Sequence, residues 1–175
     1  MIIAVGLMGL LTPVLWSVRS AYLQSREMVA WKESLRHHSN SSQDNIKRSR
    51  ILIPRLDLEA IVVEEVKPSD LDRGPMHLAG TARPGDIGNC CIAAHKEKWF
   101  RGLETLSIGD SVILCKGKTR YLYSITKRKV LRANQVSVLA PTPTSTITLI
   151  TCTGPAFFGR GNGRLVLTGP LKMVE

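Results

Sequence analysis

From Ile51 onward the apolar residues of this chain come in short runs, each broken by turn residues before a helix of ordinary length could form. Ile51 and Ile53, then Ile61, Val62, Val63 and Val66, flank the segment Pro54 to Ala60 and suggest two strands. Gly88 to Ala94, Ser111 to Cys115, Arg120 to Thr126, Ile147 to Thr151 and Leu165 to Thr168 repeat the pattern. Gly-Asp, Pro-Gly and Lys-Gly-Lys turns separate these runs. Trp99 to Leu106 is the exception: Phe100, Leu103 and Leu106 recur every three residues, as in one or two helical turns. About seven or eight short strands with one small helix predict an all-β barrel or sandwich. The 175 residues suit one such domain plus a short extension, and no internal repeat divides them.

The extension is of another kind. Met1 to Val18 carries no charged side chain. That is close to the roughly 20 residues that cross a bilayer as a helix, a role that tolerates Thr12 and Pro13. A cleaved signal peptide would open with Lys or Arg and end in small residues, but the first basic residue is Arg19. Residues 1–18 are therefore read as an uncleaved transmembrane anchor. Ser20 to Leu35 favours a juxtamembrane helical stalk, and His37 to Arg50 is a polar linker, so that 19–50 joins the anchor to a domain over 51–175. Adjacent His37 and His38 read as a solvated pair rather than metal ligands. Arg19, Arg26, Lys32 and Arg36 follow the anchor, which by the positive-inside rule would put the domain in the cytoplasm.

A formal net charge of +10 asks for an anionic neighbour, whether nucleic acid, acidic lipid or acidic polymer. Lys127, Arg128, Lys129 and Arg132 make the densest cluster and read as a solvated hairpin. Aromatic residues are only 5% of the chain, few for a surface that stacks bases, so a nucleic-acid-binding barrel is disfavoured. Four cysteines are too sparse for a disulfide scaffold, and without CxxC or HxxxH spacing they do not suggest zinc.

The cysteines differ in their places along the strands. Cys90 and Cys91 lie within an apolar run, where a free thiol behaves as a small hydrophobe, and Cys115 ends another. Cys152 closes Thr148-Leu149-Ile150-Thr151 just before Thr153-Gly154-Pro155, which places it at the rim of a barrel. His95 ends Cys91-Ile92-Ala93-Ala94 in the same way, and Arg164 opens the last apolar run after a glycine-rich segment. A thiol becomes a nucleophile as the thiolate, which a neighbouring base or cation favours.

Four stretches, in order, resemble the sortase family. Leu71 to Gly85 follows its "L..G..H..GT..PG" pattern, and Gly88-Asn89 through His95 follows "GN..IAxH". Phe100, Leu103, Leu106, Gly109 and Asp110 match "F..L..L..GD", and Thr148-Leu149-Ile150-Thr151-Cys152 is "TLxTC", with Arg164 beyond it. The likeness runs from Ile51 to the C-terminus and is nearest to classes D and E, although Thr153-Gly154-Pro155 replaces the Tyr-Pro-Phe that often follows the class D cysteine.

The resemblance implies an eight-stranded β-barrel and a membrane-anchored cysteine transpeptidase facing outward, against the charge rule. Cys152 would attack an LPxTG-like sorting signal, His95 would serve as acid and base, and Arg164 would hold the oxyanion. The partners implied are proteins bearing a C-terminal sorting signal and an amine acceptor, either a cell-wall precursor or a pilin lysine. Strand alternation places Thr148 and Ile150 on the face of Cys152 and Ala93 on that of His95, as a groove for the substrate's Leu-Pro. Thr151 points away, but its backbone adjoins the nucleophile. Some sortases bind calcium near strands six and seven; Lys127 to Ser145 contains no Asp or Glu, so no metal or other cofactor is expected. A sortase-like hydrolase or an inactive relative would share these motifs.

Overall fold

The structure is a computed structural model that describes residues 18–19, 21–29, 49–64, 71–153 and 163–175. Among the described residues are nine strands: β1 (Ser49–Ile53), β2 (Leu58–Glu64), β3 (Met76–His77), β4 (Asn89–Ala93), β5 (Ser111–Lys116), β6 (Thr119–Ser124), β7 (Lys127–Arg132), β8 (Thr146–Cys152) and β9 (Gly163–Val174). They form one sheet in the order β6-β5-β1-β2-β3-β4-β8-β9-β7, and a further β6–β9 pairing closes it into a barrel. Eight strands make the ring, and β7 lies outside it along the first half of β9.

Period-2 alternation turns one side of each strand inward. Ile51 and Ile53, Ala60 and Val62, Cys90 and Ile92, Val112 and Leu114, Tyr123, Ile147 and Leu149, and Leu165 and Leu167 share a single buried core. Phe100, Leu103 and Leu106 join it. Their spacing of three belongs to a succession of turns ending in a 3-10 helix, Leu103–Thr105, rather than to an α-helix. Each such side chain contributes roughly 1.5–3 kcal/mol when fully buried.

Two strands depart from the sequence reading. The basic cluster is solvated as expected, but it is strand β7, paired along its backbone to the distant β9, and not a local hairpin. The last strand is far longer than Leu165 to Thr168, because β9 first pairs with β7 and then passes on to β6. Gly169 permits the passage: a Cβ there would strike the Ser124 carbonyl group. The barrel also begins earlier than Ile51, since Ser49 and Arg50 already pair with β2 and β5.

Residues 21–29 form a helix, here α1, within the expected stalk. It docks on the outside of the barrel, where Met28 packs with Ile61, Cys115, Leu52 and Ile113. Among the described residues no helix is long and apolar enough to cross a membrane. The expected anchor lies, apart from Val18, outside the described residues, as does the linker up to residue 48.

Candidate active site

The site is assembled by the ends of three adjacent strands. β4 and β8 run parallel, with Ala93 beside Ile150. The pairing continues beyond β4, where the Ala94 amide donates to the Ile150 carbonyl at 3.1 Å and the Thr151 hydroxyl donates to the Ala94 carbonyl at 2.8 Å. His95 therefore leaves β4 at the level where Cys152 ends β8. On the other side β9 is antiparallel to β8, with Arg164 directly opposite Cys152. The Thr153 amide donates to the Gly163 carbonyl at 3.0 Å, which extends this pairing one residue past the cysteine. Ile147, Leu149, Leu165 and Leu167 point into the core, so alternation turns Cys152 and Arg164 to the outer face.

Burial separates the four thiols. Cys90, Cys91 and Cys115 are buried, whereas Cys152 is exposed. Burial pushes the Cys90 thiol far up, helped by the proximity of Cys91, Glu64 and Asp86. Burial also pushes Cys91 up to about 12, against a hydrogen bond with Thr148 that acts the other way. Neither forms a thiolate at neutral pH, and the thiolate is the nucleophilic form.

His95 is held at both ends. Its carbonyl accepts hydrogen bonds from the amides of Lys98 (3.3 Å) and Phe100 (3.1 Å), and the buried Phe100 ring ties that turn to the core. Its Nε2 lies 3.0 Å from Asp72 Oδ1. The Lys98 ammonium donates to the Asp72 carbonyl at 3.0 Å. Arg164 Nη1 donates to the carbonyl of Gly163 at 3.1 Å. Arg160 lies outside the described residues.

Of the expected groove residues, Ala93 and Ile150 form a row on the outer face, extended by Val166, which faces Ile150 across the β8–β9 pairing. Thr148 is on the same face but buried, and its hydroxyl donates to Asn89 Oδ1 at 2.7 Å. Asn89 in turn donates from Nδ2 to the carbonyls of Val138 (2.9 Å) and Ala140 (3.2 Å), which pins the β7–β8 connection against β4. Thr151 is buried with its hydroxyl on Ala94. Sequence reasoning gave no role to Asp72, Asn89 or Val166. Asp72 and Asn89 stood inside the quoted motifs, but what each one touches is distant in sequence.

His77, within the first of those motifs, is 5% exposed. Its Nδ1 faces Glu64 Oε2 at 2.9 Å, and its Nε2 faces the Ala82 carbonyl and the Thr81 hydroxyl. Burial, the largest single influence, would lower its pKa, but the hydrogen bond and charge of Glu64 together with the Ala82 carbonyl outweigh it and the net shift is upward.

The sortase domain family model matches residues 51–172. Sortase D of Bacillus subtilis is 25% identical over 118 residues, which are 67% of this chain and 60% of that protein. The solved Clostridium perfringens sortase D5 transpeptidase superposes with a TM-score of 0.75 at 23% identity, covering 87% of this chain and 99% of that one. Sortase E of Streptomyces avermitilis gives a TM-score of 0.64 at 28% identity, covering 73% of this chain and 88% of that one. The barrel, the order of its motifs and the family match over most of the chain agree: it belongs to the sortase family.

Proposed function

We propose that this chain cleaves an LPxTG-like sorting signal through a thioacyl-enzyme on Cys152 and passes the acyl group to an amine. The observation that carries the reading is the placement of Cys152: an exposed thiol at a strand end, with His95 leaving the parallel neighbour at its level and Arg164 facing it across the antiparallel one.

In this reading Cys152 Sγ, as thiolate, attacks the carbonyl carbon of the Thr–Gly bond. The carbonyl electron pair moves to oxygen, and the Arg164 guanidinium donates hydrogen bonds to that oxyanion. The intermediate collapses, the C–N bond breaks, and His95 gives its proton to the departing amine. A thioester to Cys152 remains. An incoming amine attacks it, His95 takes up the amine's proton, and the thiolate leaves as the new amide forms. Ala93 and Ile150 offer an apolar row beside the nucleophile for the substrate's Leu-Pro; Thr148 continues that face where it is covered, and Thr151 ties β8 to the end of β4 from the inner side. Residues 1–18 anchor the enzyme, with the catalytic barrel, which starts at Ser49, on the outer side of the cell membrane. There the substrates are proteins with C-terminal sorting signals, and the acceptor is a cell-wall amine or a pilin lysine.

The test is incubation of the whole chain with an LPxTG-type peptide and a primary amine, with products weighed by mass spectrometry. The expected product is the peptide acyl group joined to the amine, absent with Cys152→Ala. Hydrolysed peptide alone, at every amine concentration, would make the chain a hydrolase. Undiminished ligation by Cys152→Ala would overturn the assignment.

A further inference from the structure

We propose that Asp72 is a positioning residue for His95, and that helix α1, through Gln24, sets where Asp72 stands. The inference rests on the reading of His95 as the acid and base.

The contact with His95 is direct, from Nε2 to Asp72 Oδ1 at 3.0 Å. A carboxylate accepts, so the proton of a neutral imidazole resides on Nε2, and Nδ1 carries the lone pair. The same carboxylate favours the imidazolium that forms when Cys152 gives up its proton. Asp72 thus does for His95 what an orienting group does for any catalytic imidazole: it selects the tautomer and holds the ring plane.

The carboxylate stands on the segment that enters β3, and a side chain of α1 fixes that segment. Gln24 is buried to 8% exposure, although it is polar and lies on a surface helix. Its Nε2 donates to the Arg73 carbonyl at 2.6 Å and to the Ile61 carbonyl at 3.3 Å, while its Oε1 accepts from the Ile61 amide at 3.0 Å. β2 meets β3 only through Val63 and Glu64, so at Ile61 a glutamine amide takes the place of a neighbouring strand. Gly74 leaves the room for it, since a Cβ there would collide with Gln24 Nε2. Glu27, one turn further along α1, reaches the Arg73 guanidinium at 3.4 Å. Lys98 Nζ then bonds the Asp72 carbonyl from the turn that follows His95. The Asp72–Arg73 and Arg73–Gly74 peptide groups are therefore fixed, the first from the turn carrying the histidine and the second from α1. A displacement of α1 reaches His95 through a single residue.

The experiment uses the whole chain and the peptide-cleavage assay, with thermal unfolding recorded for each variant. Asp72→Ala should lower kcat by about ten- to a hundredfold, the scale of a misplaced catalytic group, with KM within about twofold. Asp72→Glu should recover part of the loss. Imidazole 15N shifts of His95 in a Cys152→Ala background, at about pH 8.5 where ordinary imidazoles are neutral, should report Nε2–H with Asp72 present and a tautomer mixture without it. Gln24→Ala should lower kcat by about two- to tenfold, and should add nothing in the Asp72→Ala background. Wild-type kcat in Asp72→Ala, an unchanged tautomer, or fully additive losses would overturn the proposal. In each of those cases His95→Ala remains inactive if His95 is the acid and base. A fully active His95→Ala would instead remove the reading on which the proposal rests.

Discussion

The two ends of the parallel pair β4–β8 are made of similar residues and behave in opposite ways. At one end Asn89, Cys91, Thr146 and Thr148 are buried: the Thr148 hydroxyl and the carbonyls of Val138 and Ala140 converge on Asn89, and the Cys91 amide meets the Thr81 hydroxyl. At the other end Ala93, Ile150, His95 and Cys152 come out from under that cover. A thiol in the first place is pushed to about 12; in the second it is exposed between a histidine and an arginine. The chemistry of a cysteine here is decided by its distance from the strand end. The histidines repeat the contrast: buried His77 is enclosed by Glu64, Ala82 and Thr81, while the His95 side chain is 38% exposed beside Asp72.

The largest effect that would sharpen this contrast is at Arg164. Arg164→Lys keeps the charge but loses the planar fork of donors, and should lower the turnover rate by roughly a hundred- to a thousandfold. Arg160→Lys should be nearly silent, and the reverse ranking in peptide cleavage would move the oxyanion role to Arg160.

At the buried end, Cys90→Ser should cost about 1–3 kcal/mol of stability, read from urea unfolding, because it sets a hydroxyl in an apolar core. The rate per folded molecule should not change. A tenfold fall in that rate would show that the buried end takes part in the chemistry.

The smallest effect concerns the buried histidine. The folded-state pKa of His77 is raised from 6.5: burial lowers it most, but Glu64 and the Ala82 carbonyl together raise it further. Its stabilising contribution is therefore complete below about 6.5 and is lost as pH rises through the higher folded-state value. Glu64→Gln removes the carboxylate charge and leaves burial opposed only by the Ala82 carbonyl. The decline with rising pH expected for the wild type's urea midpoint should then be smaller in this variant, and an undiminished decline would remove Glu64 as the cause.

Much of this was legible before any coordinates. The inward-facing residues are read by alternation, and the placing of Cys152, His95 and Arg164 at strand ends follows from where the apolar runs stop. β7 escaped because Lys127, Arg128, Lys129 and Arg132 announce solvent, and an edge strand held by its backbone does not need apolar side chains. β9 was shortened because Gly169 and Pro170 look like a turn, whereas that glycine lets a continuous strand pass the Ser124 carbonyl. The Asp72–His95 and Gln24–Arg73 contacts span 23 and 49 residues and follow no period, so only the folded chain brings them together. Gln24 also changes the expected domain boundary: a chain cut at Ile51 would lose α1 along with the first two residues of β1.

The central claim is that Cys152 is the one thiol of the chain that forms the acyl-enzyme. Its most direct test is to quench the whole chain during turnover of an LPxTG-type peptide, digest it, and locate the acyl group by mass spectrometry. The account predicts a thioester on the peptide containing Cys152 and unmodified Cys90, Cys91 and Cys115. An acyl group on any of those three, or turnover that leaves Cys152 unmodified while Cys152→Ala still cleaves, would contradict it.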